Sequence, residues 1–391
     1  MSWELTTDQR ELVRSVEALA RERLLPVVAR GQEGRVNRAL VKKLGELGLL
    51  ARLFPDVGSS QDSLRSASVA GGESGRRKAT ALELCLLREA LATVSTEAET
   101  ALALQGLGTY PIVLAGTPEQ VERWVPAVAR GEAVAAYALS EPEAGSDAGA
   151  LRLAARADGV GWRLSGEKMW ISNAPEADFY SVFARTTDGA GSRGVTAFVV
   201  PADREGLSGE RLEMLSPHPI GRLVFDGVRV SVDDLLGRPD KGFAVAMRTL
   251  DLFRPSVGAF AVGMAQCALD AAVQYAGSRE AFGAPLLEMQ SVGHRLAEMA
   301  TQVEAARMMV YRAGAAYDEG RDGISVSSAM AKLIATETAQ LVVDAAIQIH
   351  GARALQRGHL LEHLYREVRA PRIYEGATEV QRSIIARHLR P

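Results

Sequence analysis

Two stretches of this 391-residue chain gather residue types that could do chemistry. In YALSEPEAGSD (Tyr137–Asp147), Ser140, Gly145 and Ser146 share one turn-forming loop between strand-like runs. Such a loop offers backbone N–H groups and hydroxyls to a polar, planar ligand, and a glycine permits close approach. Further on, KMWIS sets Trp170 in a strand with Ile171 and Ser172. Alone that tryptophan reads as core; beside the glycine loop it also suits a stacking wall. The second stretch is PRIYEGATEVQRSIIARHL (Pro371–Leu389), where a single Glu375 stands between Tyr374 and Gly376 ahead of an apolar-periodic helix. Its bare reading is a helix-entry turn, with the acid near a helix N-terminus and the glycine relaxing the backbone.

Other chemical patterns fall away on context. GAGSRG (Gly189–Gly194) matches the dinucleotide fingerprint G-x-G-x-x-G, but it lies between two strand-like runs, FYSVFAR and VTAFVV, and reads as a hairpin loop. The fingerprint works only where a strand feeds a helix whose N-terminus meets phosphate. HLLEH (His359–His363) has zinc-protease spacing with no third ligand nearby, so it reads as a helix face and no metal is expected. No G-x-S-x-G nucleophile elbow occurs. Cys85 and Cys267 sit in apolar helical patterns without metal or redox spacing.

Composition narrows the class. With 45 Lys+Arg against 48 Asp+Glu, the net charge of −3 argues against a nucleic-acid binder that works by neutralising phosphates. The N-terminal MSWELTTDQRELVRS is charged throughout and lacks the apolar core of a signal peptide. No stretch offers the roughly 18 uninterrupted apolar residues expected of a membrane span. A cytoplasmic protein without a membrane span is the expectation.

The elements that must position these residues fall into three blocks. Residues 1–133 read as helices, with capping boxes at Thr6/Gln9 and Thr117/Gln120 and a Ser/Gly-rich loop over Phe54–Lys78. Residues 134–237 alternate in short β-rich runs and read as a small antiparallel domain. Residues 238–391 carry three long helical patterns and two short ones, a four-helix-type bundle. The fold class expected is therefore α+β.

With these blocks in view, the chain resembles the flavin-dependent acyl-CoA dehydrogenase family over nearly its whole length. YALSEPEAGSD is similar to the family's first signature, and QIHGARAL with RIYEGATEVQRSII to its second. SREAFGAPLLEMQ resembles its Arg-x-x-Phe-Gly stretch ending in glutamine. The resemblance implies FAD bound by residues of the β domain and the bundle, in a homotetramer (or homodimer) that lends residues between subunits. Carried over by motif, Leu139, Ser140, Gly145, Ser146, Trp170, Ile171 and Ser172 would hold the isoalloxazine and nearby ribityl groups. Arg279, Phe282 and Gln290 would approach the pyrophosphate and adenosine, Gln348 and Gly351 would come from a neighbouring subunit, and Thr378 and Gln381 would complete the flavin contacts. Ser146, Asp251, Arg254, Tyr374 and Gly376 would lie near an acyl-CoA or acyl-carrier-protein substrate, with an electron-transfer flavoprotein-type acceptor for the electrons.

The resemblance makes Glu375 the catalytic base, removing the proton α to the thioester carbonyl. A dry pocket would raise its pKa, its backbone N–H would steady the carbonyl oxygen, and Gly376 would let substrate lie against the backbone. Some members carry the base on the first bundle helix, but here Phe253 precedes Arg254 and cannot accept a proton. Departures from the family pattern are Ala281, Ala352, a loop over 54–78 without the usual PxxxGG form, and MLSPHPIGRLVF leading into its strand. They leave room for a carrier-bound acyl substrate, for a flavin oxidase or monooxygenase on the same fold, and for a non-catalytic scaffold.

Overall fold

The computed structural model describes residues 4–54 and 80–390, so the loop expected over Phe54–Lys78 lies, after Phe54, outside the described residues. The chain opens with α1 (Thr7–Leu19), continued by a π-helical turn into α2 (Leu25–Val28), then α3 (Arg38–Glu46), α4 (Ala81–Ala92), α5 (Thr96–Ala115) and α6 (Pro118–Ala129). Eight strands follow: β1 (Ala135–Ala138), β2 (Ala154–Asp158), β3 (Gly161–Ser172), β4 (Phe179–Arg185), β5 (Val195–Pro201), β6 (Leu207–Arg211), β7 (Ile220–Ser231) and β8 (Leu235–Leu236). Then come α7 (Gly242–Ser278), the two-residue strands β9 (Glu280–Ala281) and β10 (Ala284–Pro285), α8 (Gln290–Asp318), α9 (Ile324–His350), α10 (Leu360–Glu367) and α11 (Thr378–His388). The architecture is α+β, with N-terminal helices, a central sheet and C-terminal helices.

Local chemistry starts the helices where the sequence marks them. At α1 the Gln9 amide donates to Thr6 Oγ1 at 3.2 Å and the Thr6 amide to Gln9 Oε1 at 2.9 Å. At α6 the Thr117/Gln120 pair repeats the box, and Gln120 Nε2 also donates to the Asp233 carbonyl at 2.7 Å. Each reciprocal pair satisfies amides that an isolated helix end leaves unbonded. Helix α5 was not expected from the sequence, because Gly106, Gly108 and Pro111 interrupt its pattern. Packing explains Gly108: a Cβ there would lie 2.7 Å from the Ala136 amide of β1.

The described chain forms two compact units. The first, residues 27–54 and 100–250, is built on a sheet of order β6-β7-β3-β2-β4-β5-β8. Its pairs are antiparallel except that β1 runs parallel to β4, as does a single β2–β4 contact, a departure from the purely antiparallel domain expected. β1 is delivered by α5 and α6 rather than by a hairpin, which frees its direction. GWRLSG and KMWIS, separate runs in the sequence, form the single strand β3, bulged between Leu164 and Gly166 and between Lys168 and Ile171. GAGSRG is the β4–β5 connection, as expected of a hairpin loop. Phe179, Tyr180, Phe183, Phe198 and Phe225 fill the core.

The second unit, residues 4–26, 80–99 and 251–390, is helical. Its core joins α4, α7, α8 and α9 with α10 through small residues and valines, among them Ala92, Ala261, Val303, Val310, Ala335 and Val342. The Asp318 carboxylate at the end of α8 accepts the Ala81 and Leu82 amides at 2.6 and 3.1 Å, capping α4 from another helix. Helix α7 is long and apolar enough to cross a membrane, with mean hydropathy 1.4 in its apolar window. Yet 72% of that window is buried inside the protein, as in a core helix.

Gly263 of α7 marks the closest helix approach in this core that bears on the site. A Cβ there would fall 2.6 Å from the Glu89 carbonyl and 2.6 Å from Ala92 Cβ, both on α4. Gly263→Ala is expected to cost roughly 1–3 kcal/mol of stability through overpacking, read as a lower urea midpoint at unchanged m-value. An unchanged midpoint would mean that α4 and α7 have room to spare.

Candidate active site

In the sheet unit a buried ion pair organises the loop that follows β1. Lys168 of β3 is fully buried, and its ammonium donates to the Leu139 carbonyl and to Glu141 Oε1, each at 2.8 Å. The Glu141 carboxylate also accepts the Arg152 and Leu153 amides at 2.5 and 2.9 Å. The Met169 amide donates to the Ser140 carbonyl at 3.0 Å, tying the bulge to the same loop. Burial pulls the Lys168 ammonium down to about 8 against the pull of Glu141. Leu139 is thus fixed and buried, Ser140 is half-buried, and Gly145 and Ser146 stand exposed at the loop tip with open space where a glycine Cβ would be.

The bulge turns Trp170 outward. Its φ of +58° is a left-handed conformation that non-glycine residues adopt rarely, and its side chain is 46% exposed while Ile171 is buried. That geometry sets aside the core reading of Trp170. Ser172 Oγ lies 2.8 Å from His218 Nε2, a partner supplied by the unusual MLSPHPIGRLVF segment. Burial pushes His218 down to about 4, so the ring is neutral near pH 7.

In the helical unit Glu375 occupies the turn before α11. Its φ of +50° is left-handed, and Gly376 follows at +96°. Gly376 has an internal reason to be glycine: beyond its dihedral, a Cβ would meet Gln381 Nε2 at 2.3 Å. This adds to the expectation that the glycine makes room for substrate. Gln381, fully buried, donates to the Gly376 carbonyl at 2.8 Å and the Glu375 carbonyl at 3.4 Å. Lys332 of α9 donates to the same Gly376 carbonyl at 2.7 Å, and Arg254 of α7 reaches the Glu375 carbonyl at 3.4 Å while pairing with Asp251 at 3.0 Å. Thr378 is buried, its hydroxyl donating to Glu337 Oε1 at 2.8 Å beside the Arg372–Glu337 ion pair. Glu375 Oε2 and Gln381 Oε1 are both buried and without a hydrogen-bond partner.

Burial raises the Glu375 carboxyl above the ordinary carboxylate range, opposed by Arg88, Arg254 and Lys332. Arg88 of α4 is itself buried, paired with Glu99 and donating to Ser256 Oγ at 2.7 Å. Burial also drives the neighbouring Tyr374 phenol well above its usual value, with Glu99 adding to the effect. Burial raises Asp251 in the same way, against Arg254. A carboxyl held dry among cations, with one oxygen unengaged, can accept a proton from a weak carbon acid.

The other expected residues form a separate group in the helical unit. Arg279, Phe282 and Gln290 are exposed around the α7–α8 connection, and Phe282 stands 99% exposed at a φ of +52°. Gln348 and Gly351 are exposed at the end of α9, where His350 stacks on Tyr275 of α7 at 4.3 Å. HLLEH is consumed structurally: His359 caps α10 and His363 Nε2 lies 2.7 Å from Thr96 Oγ1. No group of three metal-ligating side chains occurs among the described residues. Arg88, Lys168, Glu141, His218, Lys332 and Glu337 were not singled out by the sequence reading.

Comparison with known proteins places this arrangement. The chain matches the models of the acyl-CoA dehydrogenase N-terminal domain over residues 6–132, middle domain over 136–228 and C-terminal domain over 240–390. It is 39% identical to the short-chain specific acyl-CoA dehydrogenase of Bos taurus mitochondria, over 99% of this chain and 91% of that one. The structure of butyryl-CoA dehydrogenase from Megasphaera elsdenii superimposes with TM-score 0.89 at 31% identity, covering 100% of both chains. A chain solved in work on the electron transferring flavoprotein of Acidaminococcus fermentans does so with TM-score 0.90 at 33% identity, again over 100% of both. The class is that of FAD-dependent oxidoreductases. The chain belongs to the acyl-CoA dehydrogenase family.

The Lys168–Glu141 pair sets an expectation for the loop. Lys168→Met leaves a buried carboxylate without its cation and is expected to cost about 3–5 kcal/mol in urea unfolding. Lys168→Met with Glu141→Leu should recover much of that loss. A single variant as stable as the parent would mean that the loop does not depend on the pair.

Proposed function

We propose that the protein oxidises a short acyl-CoA to the trans-2-enoyl-CoA, with Glu375 removing the α-proton. The observation that carries this reading is the Glu375 carboxyl, buried with Oε2 unengaged in a left-handed turn, its proton affinity raised by burial. Two carbonyls of that turn are held by Arg254, Lys332 and Gln381, so the carboxylate is offered from a fixed backbone. The Glu375 N–H is available in this reading to bind the thioester oxygen as charge develops there. Arg254, tied to Asp251, keeps a positive charge beside the base. The base takes the α-proton as the β-hydrogen leaves with its electron pair.

FAD, when bound, supplies the acceptor for that hydride. The residues present fit it. Trp170 offers an exposed indole face, the Gly145 loop has open space, and Gln381 Oε1 is a buried acceptor without a donor. In this reading Leu139, Ser140, Ser146, Ile171 and Ser172 line the flavin with Trp170 and Gly145. Thr378 and Gln381 would complete the flavin contacts, and Arg279, Phe282, Gln290, Gln348 and Gly351 would serve the adenosine side in a homotetramer. The full exposure of Phe282 supports a role completed by another molecule. Transfer of the electrons onward to an electron-transfer flavoprotein-type acceptor is part of the same reading. The matched ranges support a division into residues 1–133, 134–237 and 238–391. A short acyl group is supported by the charged Arg88–Glu99 pair and Ser256 within electrostatic reach of Tyr374 and Glu375, a poor neighbour for a long apolar tail.

An anaerobic titration with acyl-CoA thioesters of increasing length tests this, with the visible flavin spectrum as readout. Short thioesters are expected to bleach the flavin, and Glu375→Gln to slow bleaching by about 10²–10⁴-fold. Bleaching unaffected by Glu375→Gln would overturn the assignment of the base. The base form of Glu375 exists only above its pKa, which burial raises. kcat/KM should therefore fall as pH drops through a value above the usual carboxylate range, and a profile flat down to ordinary carboxylate pH would contradict it.

A further inference from the structure

Lys332 stands near the middle of α9 in a run of small and apolar residues, AMAKLIATETAQL, and is fully buried. An ammonium in such a place is costly unless a partner is fixed to receive it, and an apolar side chain would serve the helix core better. Its hydrogen bond runs to a backbone carbonyl outside its own helix, that of Gly376, at 2.7 Å. The same carbonyl takes Gln381 Nε2 at 2.8 Å, so two donors from two helices converge on the carbonyl of the residue that follows Glu375. The peptide they hold belongs to a turn with two consecutive left-handed residues, one of which is not glycine. A backbone of that kind persists only when its surroundings over-determine it.

The charges around Lys332 come from four elements. Glu375 faces it from the turn, Arg254 from α7, Glu337 from its own helix and Glu379 from α11. Glu375 in turn meets Arg88 from α4 and Arg254 from α7. Two of the three anions are otherwise engaged. Glu337 is held by Arg372 at 2.8 Å and by the Thr378 hydroxyl, and the Glu379 side chain is 79% exposed to solvent with Arg382 at 3.9 Å. The anion left with a buried, unengaged oxygen is Glu375.

We propose that Lys332 is the positioning residue of the base: through the Gly376 carbonyl it holds the left-handed turn that presents the Glu375 carboxylate, and it sets a positive charge beside that carboxylate. The inference rests on the reading of Glu375 as the base and goes beyond it. Arg254 and Arg88 are also cations near the carboxylate; Arg254 reaches the Glu375 carbonyl at 3.4 Å and Arg88 bonds Ser256, whereas Lys332 alone of the three bonds the Gly376 carbonyl. Removing the charge at 332 raises the proton affinity of Glu375, because a nearby cation favours the ionised form. The acid limb of the pH profile must then move toward alkaline pH.

The test uses the FAD-loaded protein and three substitutions. Lys332→Met removes bond and charge, Lys332→Gln keeps a donor without charge, and Lys332→Arg keeps both. The pH dependence of kcat/KM is measured for each with a short acyl-CoA. The Glu375 carboxyl is titrated separately, without substrate, by infrared difference spectroscopy, and Glu375→Gln identifies its band. Lys332→Met and Lys332→Gln are expected to raise the titration midpoint and the acid limb by about one pH unit. Lys332→Arg should leave both near the parent value. Lys332→Met, lacking the bond as well, should lose more kcat than Lys332→Gln at pH values where Glu375 is ionised in both. If Lys332→Met does not fold, the Gln and Arg pair decides. Equal midpoints in Gln, Arg and parent protein would overturn the inference, and so would equal shifts in Gln and Arg. A Glu375→Gln protein that still bleaches with acyl-CoA would instead overturn the assignment of the base, leaving the titration result to stand on its own.

Discussion

In the proposed reaction the helical unit turns on one conflict: a carboxylate must be dry enough to attract a proton from carbon yet charged enough to take it. Water would make Glu375 a weak base, and burial alone would leave it protonated and useless. Arg88, Arg254 and Lys332 resolve the conflict from α4, α7 and α9. Each cation is itself buried, so each needs its own support. Arg88 has Glu99 and Ser256, Arg254 has Asp251, and Lys332 has the Gly376 carbonyl. Much of the polar interior of this unit can be traced outward from that one carboxyl.

The sheet unit shows the same logic in a different form. The loop after β1 is clamped by a buried ion pair, Lys168 of β3 with the loop's own Glu141. Next to that clamp, the β3 bulge spends regular pairing to turn an indole outward. In both units a strained residue, Trp170 or Glu375, sits directly beside a fully buried lysine contact. In each case the strained residue is held by charge-assisted bonds one or two residues away.

Beyond the α+β order of the three blocks and the family resemblance, what the sequence made legible was local. Capping boxes at Thr6 and Thr117 and the hairpin reading of GAGSRG rest on neighbours within a few residues, and all appear in the structure. The signature segments also stood out, because glycine, serine and acid crowd together there. Helix α5 was hidden because Gly108 answers to β1, a partner remote in sequence, and β6 because its exposed residues alternate too weakly to read. The direction of β1 depends on what precedes it, and that is invisible in the strand itself. Arg88 and Lys332 were missed for a related reason. Each is one charge in an otherwise apolar helical run, LELCLLREAL and AMAKLIATE, where the period promises burial but does not say what compensates it. A charge at a core-facing register was the available signal, and its partners on other helices could only come from the fold.

The helical unit is assembled from three separated stretches, residues 4–26, 80–99 and 251–390, whereas most of the sheet unit lies in the interval 100–250. Chain order therefore becomes a problem of timing on the ribosome. Helices α1 and α4 emerge with Val16, Leu86 and Leu91 ready for a core whose other half, α7 to α9, has not yet been made. The sheet unit can finish first, while those two helices wait with apolar faces open. Then α7 arrives, long and apolar, with Gly263 as its place of close approach to α4. Contacts of such long sequence separation form slowly and leave sticky intermediates. Glu375, the proposed base, is made after α1, α4 and α7 to α9 and joins a unit that they have already begun.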